Sequence, residues 1–249
     1  MTGERNEDWE AVLRAAAAFQ GVVDDTTLVG GTASALYAGR RMSFDADHIV
    51  EDLPSRFEAL IDRLEQRDDW SNAKVMPPKL ALGNFQGVET GLRQLRRERP
   101  LETTTMPIGD RVVTVPTPEE MLRIKAWLVV TRNKVRDYLD VVALADHLGV
   151  DRTVVALAEF DAYYQDIYQA RRGRSISPLI QLARQLEAPS PGDLDTGLKV
   201  AHYKGIVPPW SDWSYIESRC REIGDGLFDD MTPEGNPGRG PNPSEGPSH

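Results

Sequence analysis

The first residues whose types and spacing suggest chemistry are Asp45 and Asp47, in the run Ser43-Phe44-Asp45-Ala46-Asp47. Side chains alternate along an extended strand, so Ser43, Asp45 and Asp47 are expected on one face, with Phe44, Ala46 and His48 on the other. Two carboxylates placed this way repel unless a cation joins them. An all-oxygen donor pair suits Mg2+ bound together with substrate phosphates. Upstream, Gly30-Gly31-Thr32 separates a short apolar strand, 26–29, from a small-residue helix, 33–38. Adjacent glycines permit a tight turn and let backbone amides approach an anion at the positive end of a helix, so this turn is a candidate phosphate seat. Either feature alone is commonplace; the order strand, Gly-Gly, helix, Ser-x-Asp-x-Asp is not. The sequence holds no Walker lysine motif and no G-x-G-x-x-G fingerprint, which weighs against P-loop and dinucleotide-binding readings. An Asp-x-Asp glycosyltransferase would leave the glycine pair unexplained.

A second constellation lies on two later helices, 118–132 and 135–148. At 100° per residue Lys125 falls among Met121, Ile124, Leu128 and Val129, inside the apolar stripe, and Arg132 falls on the same side. Either the lysine stem packs on the core with its ammonium in water, or the ammonium points inward and needs an anion, because desolvating it alone costs several kcal/mol. On the next helix Asp137 aligns with Val141, Leu144 and Leu148, and Asp140 occupies a different flank. Arg136 can pair with either acid or cap the helix. Two readings stay open: a salt bridge from Lys125 or Arg132 to Asp137, or Lys125 on a triphosphate with Asp137 positioning the metal or the attacking group.

These residues need elements to hold them. A helix is expected over 1–19, a strand over 43–50 and a helix over 54–67 carrying Phe57, Leu60, Ile61 and Leu64 at helical spacing. Short β-rich runs follow from 71 to 116, with turn signals at Gly83-Asn84 and Gly109-Asp110. Thr117-Pro118-Glu119-Glu120 then opens a helical half: an N-cap threonine, proline at the first helical position and a capping-box glutamate. Further helices are expected at 152–169, 176–187 and 212–223. The tail 232–249 holds five prolines and four glycines, leaving almost nothing to bury, and is expected to be disordered. The organisation read from this is an α+β core, 1–116, a helical C-terminal domain, 117–228, and a loose tail, 229–249.

Composition narrows the classes further. The 249 residues carry a net charge of −10 and one cysteine, Cys220, which excludes a disulfide scaffold. His48, His147, His202 and His249 are too scattered for a zinc or haem spacing. Met121 to Val130 is interrupted by Arg123 and Lys125 and is too short for a membrane span, and no signal segment opens the chain, so a cytoplasmic protein with no membrane partner is expected. Of 29 cations, 23 are arginine. The overall field does not suit a nucleic-acid binder, and no DNA is expected; any RNA must meet local positive charge. Arg93, Arg96, Arg97 and Arg99 form the densest basic run, read either as a solvated segment or as an RNA-phosphate track. Trp210, Trp213 and Tyr215 are read as helix packing ahead of base stacking.

Taken together, Gly30-Gly31-Thr32, Ser43-x-Asp45-x-Asp47, Lys125, Arg132 and Arg136-Asp137-x-x-Asp140-Val141 resemble the AbiEii/AbiGii nucleotidyltransferase-like toxins, which include the MenT proteins. The likeness runs from about Leu28 to Leu148. It implies a DNA-polymerase-β-like nucleotidyltransferase fold with a helical C-terminal part, and a toxin held by a cognate antitoxin. For several members it implies transfer of nucleotides from an NTP to the 3′ acceptor end of tRNA. Carried over residue by residue, Asp45 and Asp47 hold Mg2+. Ser43, Gly30, Gly31 and Thr32 meet the triphosphate, Lys125 and Arg132 bind nucleotide phosphate, and Asp137 is a catalytic-site acid. Many polymerase-β-like enzymes have a third strand carboxylate, for which Glu89 is the best candidate. Two rivals remain: a silent binding module on the same fold, and an enzyme that nucleotidylates a small molecule or a protein.

Overall fold

A computed structural model describes residues 2–39, 43–172, 176–193, 200, 203 and 206–232. The architecture is α+β, as the sequence predicts. The N-terminal part runs α1 (Thr2–Gln20), β1 (Thr27–Val29), α2 (Gly30–Ala38), β2 (Asp45–Val50), α3 (Leu53–Glu65), β3 (Trp70–Met76), β4 (Leu80–Phe85), β5 (Val88–Gln94), β6 (Thr103–Ile108) and β7 (Arg111–Pro116). The helical part follows as α4 (Pro118–Arg132), α5 (Val135–Leu148), α6 (Val150–Ala158), α7 (Phe160–Arg172), α8 (Pro178–Glu187) and α9 (Trp213–Met231).

Five strands form one sheet in the order β1-β2-β5-β4-β3, and β6-β7 form a separate two-stranded hairpin packed beside β1. Among the described strands only β2 and β5 run parallel. Their connection consists of α3 and the β3–β4 hairpin, long enough to bring the chain back alongside β2 in the same direction. Alternation gives the sheet two chemically different faces. Ala46, His48, Val50, Ala81, Phe85 and Leu92 point to one side and are fully buried. There α1 lays Phe19 over His48, with ring centroids 4.8 Å apart, and edge-on to Phe85 at 5.3 Å. The opposite face carries Asp45, Asp47, Glu89, Gly91 and Arg93. This is why one strand can be both core and site.

The helix signals hold in most places. Phe57, Leu60, Ile61 and Leu64 are buried as one stripe of α3; full burial of such a side chain contributes about 1.5–3 kcal/mol. Thr117 caps α4, accepting from the Glu120 amide at 3.2 Å, and Pro118 sits in the first turn. Four expectations need correction. Gly83-Asn84 is not a turn but lies within β4, because Gly83 passes under the Trp70 indole: a Cβ there would stand 2.4 Å from the ring. The turn falls at Gln86-Gly87, both at positive φ, and Asn84 Oδ1 accepts from the Gly87 amide. Gly109 does turn the β6–β7 hairpin, at φ +60°. The Glu120 carboxylate does not close a capping box; it is buried against two arginines.

The helix expected over 152–169 is two helices broken at Glu159. Thr153, Leu157, Phe160, Tyr164 and Tyr168 keep helical spacing through the break and are all buried, so spacing alone does not reveal it. The break lets α6 pack on α4 and α9 while α7 packs on α8. Finally, α9 continues to Met231, three residues into the segment assigned to the loose tail. The rest of that tail, from 233, lies outside the described residues. The helical half connects to the sheet through α2, which packs on α5 and α4, with the Tyr37 and His147 rings 5.9 Å apart.

Candidate active site

The site is built where α2, β2 and β5 meet. Asp45 and Asp47 are half-buried and Ala46 and His48 fully buried, in the alternation expected of β2. In the parallel pairing Asp45 stands opposite Glu89, Asp47 opposite Gly91 and Ile49 opposite Arg93. Glu89, which the sequence offers as a third carboxylate without placing it, is therefore on the acidic face beside Asp45, and it is exposed. The diglycine turn closes the arrangement from the other side, since β1 pairs Val29 with Asp47. Helix α2 starts at Gly30 itself, three residues earlier than its small-residue pattern suggests, so the first-turn amides lie beside the acidic strand.

Two glycines keep the oxygens of Asp47 clear. At Gly30, held at φ +77°, a Cβ would stand 3.2 Å from Asp47 Oδ2; at Gly91 it would stand 2.3 Å from Asp47 Oδ1. The described cation at this carboxylate is Arg93, whose Nε lies 3.4 Å from Oδ1. Asp45 accepts a short hydrogen bond from the Ser43 hydroxyl, so Ser43, though buried, is tied to the acidic pair as the pattern suggests. Thr32 is placed differently. It is fully buried and its hydroxyl donates to the Asp45 backbone carbonyl at 2.5 Å. That side chain clamps α2 to β2 and is not turned toward a phosphate.

These residues fit a divalent cation. The donors are hard oxygens, and the space next to Asp47 is kept open by positions that a single methyl would fill. Among the described residues no group of three or more His, Cys, Asp or Glu side chains closes around a metal by itself. A divalent cation on this pair would take its remaining ligands from water or from phosphate oxygens.

The second constellation is buried and internally paired. Lys125 is 3% exposed, and its Nζ lies 2.8 Å from Asp140 Oδ2. The ammonium points inward, so the snorkelling alternative fails, and it is ion-paired with Asp140, a residue the helical spacing sets on a different flank from Asp137. Asp137 is fully buried and paired with Arg132 through Oδ1, as the salt-bridge reading has it, while its Oδ2 has no hydrogen-bond partner among the described residues. Arg136 is exposed. The two constellations are linked by the packing of α2 against α5.

The basic run is not one solvated surface. Arg97 is 6% exposed and grips Glu120 at 2.7 Å, the Tyr164 hydroxyl at 3.2 Å and the Pro100 carbonyl. Arg123 joins Glu120 and Glu102 in the same cluster. Burial pushes the Glu120 carboxyl above the usual range in spite of these two arginines. Arg99 stacks 3.9 Å above the Tyr163 ring, and Arg93, Arg96 and Arg99 are exposed. The aromatic residues near 210 are structural: Trp210 and Tyr215 both donate to Asp146, and Trp213 meets the edge of Tyr138.

No family model matches the chain. It is 32% identical over 134 residues to "Probable transport protein MmpL11" of Mycobacterium bovis, a match covering 51% of this chain and 12% of that protein. With the Mycobacterium leprae protein of the same name it shares 29% over 177 residues, covering 68% of this chain and 14% of that one. The chain thus spans only about an eighth of these relatives. Among the described residues no helix is long and apolar enough to cross a membrane. Solved structures similar to it include an antigenic nucleotidyltransferase-like protein from Paracoccidioides brasiliensis (17% identity, 70% of this chain, 92% of that one, TM-score 0.44). Another is JHP933 from Helicobacter pylori (17%, 91% of each chain, TM-score 0.42). A third is the antibiotic-resistance factor ANT(2'')-Ia (15%, 70% of this chain, all of that one, TM-score 0.46).

Proposed function

We propose that this chain is a Mg2+-dependent nucleotidyltransferase on a DNA-polymerase-β-like core, transferring a nucleotide from an NTP to a hydroxyl acceptor. The acceptor proposed is the 3′ end of an RNA, tRNA first, and the biological role that of a toxin silenced by an antitoxin. One observation carries the chemistry: Asp45, Asp47 and Glu89 share a sheet face at the N-terminus of α2, and glycine stands at both positions where a Cβ would crowd Asp47. The toxin role and the tRNA acceptor rest on the motif resemblance.

In this reading the free amides of the first turn of α2 receive the nucleotide phosphates. Asp45 and Asp47 would hold Mg2+, which when bound would neutralise phosphate charge and favour attack of the acceptor hydroxyl at the α-phosphorus, with pyrophosphate as the leaving group. Ser43 and Thr32 act as positioning residues, Ser43 by orienting the Asp45 carboxylate and Thr32 by fixing α2 to β2. Glu89, exposed beside Asp45, would take the proton of the attacking hydroxyl. Asp137 and Lys125 act through the α4–α5 packing that supports α2.

One observation favours a second acceptor class, a small molecule or a protein: two arginines of the basic run are engaged within the chain, Arg97 buried against Glu120 and Arg99 against Glu102 and the Tyr163 ring. Incubating the protein with each α-labelled NTP and total RNA, with and without Mg2+, separates the readings. Mg2+-dependent label in RNA supports the proposal. Label confined to protein or small molecules moves the acceptor, and no label under any condition refutes nucleotidyl transfer.

A further inference from the structure

Arg93 belongs to the acidic face but to none of the roles assigned above. It stands on β5 opposite Ile49, one side-chain repeat beyond Gly91. Since Gly91 has no side chain, the arginine reaches back over it to Asp47, and the contact is made by Nε at 3.4 Å. This is a long, single contact. The two terminal nitrogens have no partner among the described residues, and the side chain is 44% exposed, against 27% for Asp47. The neighbouring Arg97, by contrast, is buried and held by several acceptors.

A guanidinium resting loosely on the carboxylate that would hold a cation has two consequences. It competes with that cation for the same oxygen. Once displaced, it leaves a planar donor fork beside the site, suited to phosphate oxygens. We propose that Arg93 is the exchangeable counter-ion of this site: it neutralises Asp47 while the site is empty, yields the carboxylate to a divalent cation, and then donates to the nucleotide phosphates. The proposal rests on the nucleotidyltransferase reading of the same face and adds to it a residue that couples metal and nucleotide binding.

The test is direct binding of Mn2+, followed by calorimetry or by the spin resonance of the free ion, for the full chain without nucleotide. Wild type, Arg93→Gln, Arg93→Lys and Asp47→Asn are compared, and then a non-hydrolysable NTP analogue is titrated in saturating Mn2+. An exposed ion pair contributes at most about 1 kcal/mol, about fivefold, so Arg93→Gln is expected to bind Mn2+ about three- to fivefold more tightly than wild type. It should bind the analogue more weakly, by about tenfold for loss of a charged phosphate contact. Arg93→Lys, which keeps the charge, should restore the metal affinity toward wild type and the analogue affinity in part. Mn2+ binding that depends on Asp47 but is no tighter in Arg93→Gln overturns this inference alone, as does unchanged analogue affinity. Mn2+ binding indifferent to Asp47→Asn overturns the underlying reading as well.

Discussion

Gly91→Ala offers a test in which one methyl group is aimed at one atom. The backbone at Gly91 is not in the left-handed region, so alanine is tolerated conformationally and any effect comes from the added Cβ. That Cβ would sit 2.3 Å from Asp47 Oδ1 and 3.2 Å from Leu82 Cδ2, where real Cβ contacts do not fall below 3.0 Å. Leu82 can rotate aside; Asp47 is fixed by β2 and must swing its carboxylate away by about 1 Å, a displacement of the size that costs roughly 10²-fold in rate when it misplaces a reacting group. The fold should tolerate the change, because this face is partly open and overpacking typically costs about 1–3 kcal/mol. Thermal unfolding, Mn2+ affinity and NTP-label transfer measured on one preparation give the answer. A folded Gly91→Ala protein with metal binding and transfer within about twofold of wild type, against the roughly 10²-fold loss argued here, would refute the claim that this glycine exists to clear Asp47.

Glu89→Gln should lower kcat by about 10²-fold while leaving the KM for NTP nearly unchanged, if Glu89 accepts the acceptor's proton; an equal rise in KM would assign it to binding. Lys125→Met should lose about 3–5 kcal/mol in denaturant unfolding, because Asp140 is then left charged in a buried setting, and a loss under 1 kcal/mol would contradict that, being the size of an exposed pair. Burial depresses His48 from its ordinary 6.5 to about 4. The folded state therefore binds fewer protons than the unfolded one in between, and the stabilisation is complete above pH 6.5 and lost as pH falls toward 4. Its size is about 3 kcal/mol. Unfolding titrations of His48→Leu across this window should show a flatter loss than wild type; an identical slope would show that His48 is not responsible.

Local patterns carried the acidic strand and the helices because burial imposes a period on both. The alternation in β2 places Asp45 and Asp47 correctly, though the strand begins at Asp45 and Ser43, expected on it, precedes it, and the wheel of α4 puts Lys125 inside the buried stripe. Partner choice was not legible. Asp140 stands on another flank of α5 from Asp137, yet the lysine reaches it, because the crossing of two helices is set by packing and not by either wheel. The same holds for Glu120: its spacing fits a capping box, but two arginines distant in sequence or one turn away offer a buried carboxylate more than an amide does. Glu89, Gly91 and Arg93 alternate along one strand, a signal present in the sequence. What it lacks is register, and only the parallel pairing of β2 with β5 sets Glu89 beside Asp45 and Gly91 beside Asp47.

The most direct measurement is a crystal structure of the protein grown with Mn2+ and a non-hydrolysable NTP analogue, read by anomalous scattering. The account predicts a manganese peak between the Asp45 and Asp47 carboxylates, the triphosphate lying against the first turn of α2 and Arg93 withdrawn from Asp47. A well-occupied nucleotide bound elsewhere, with Asp47 still resting on Arg93, would contradict it.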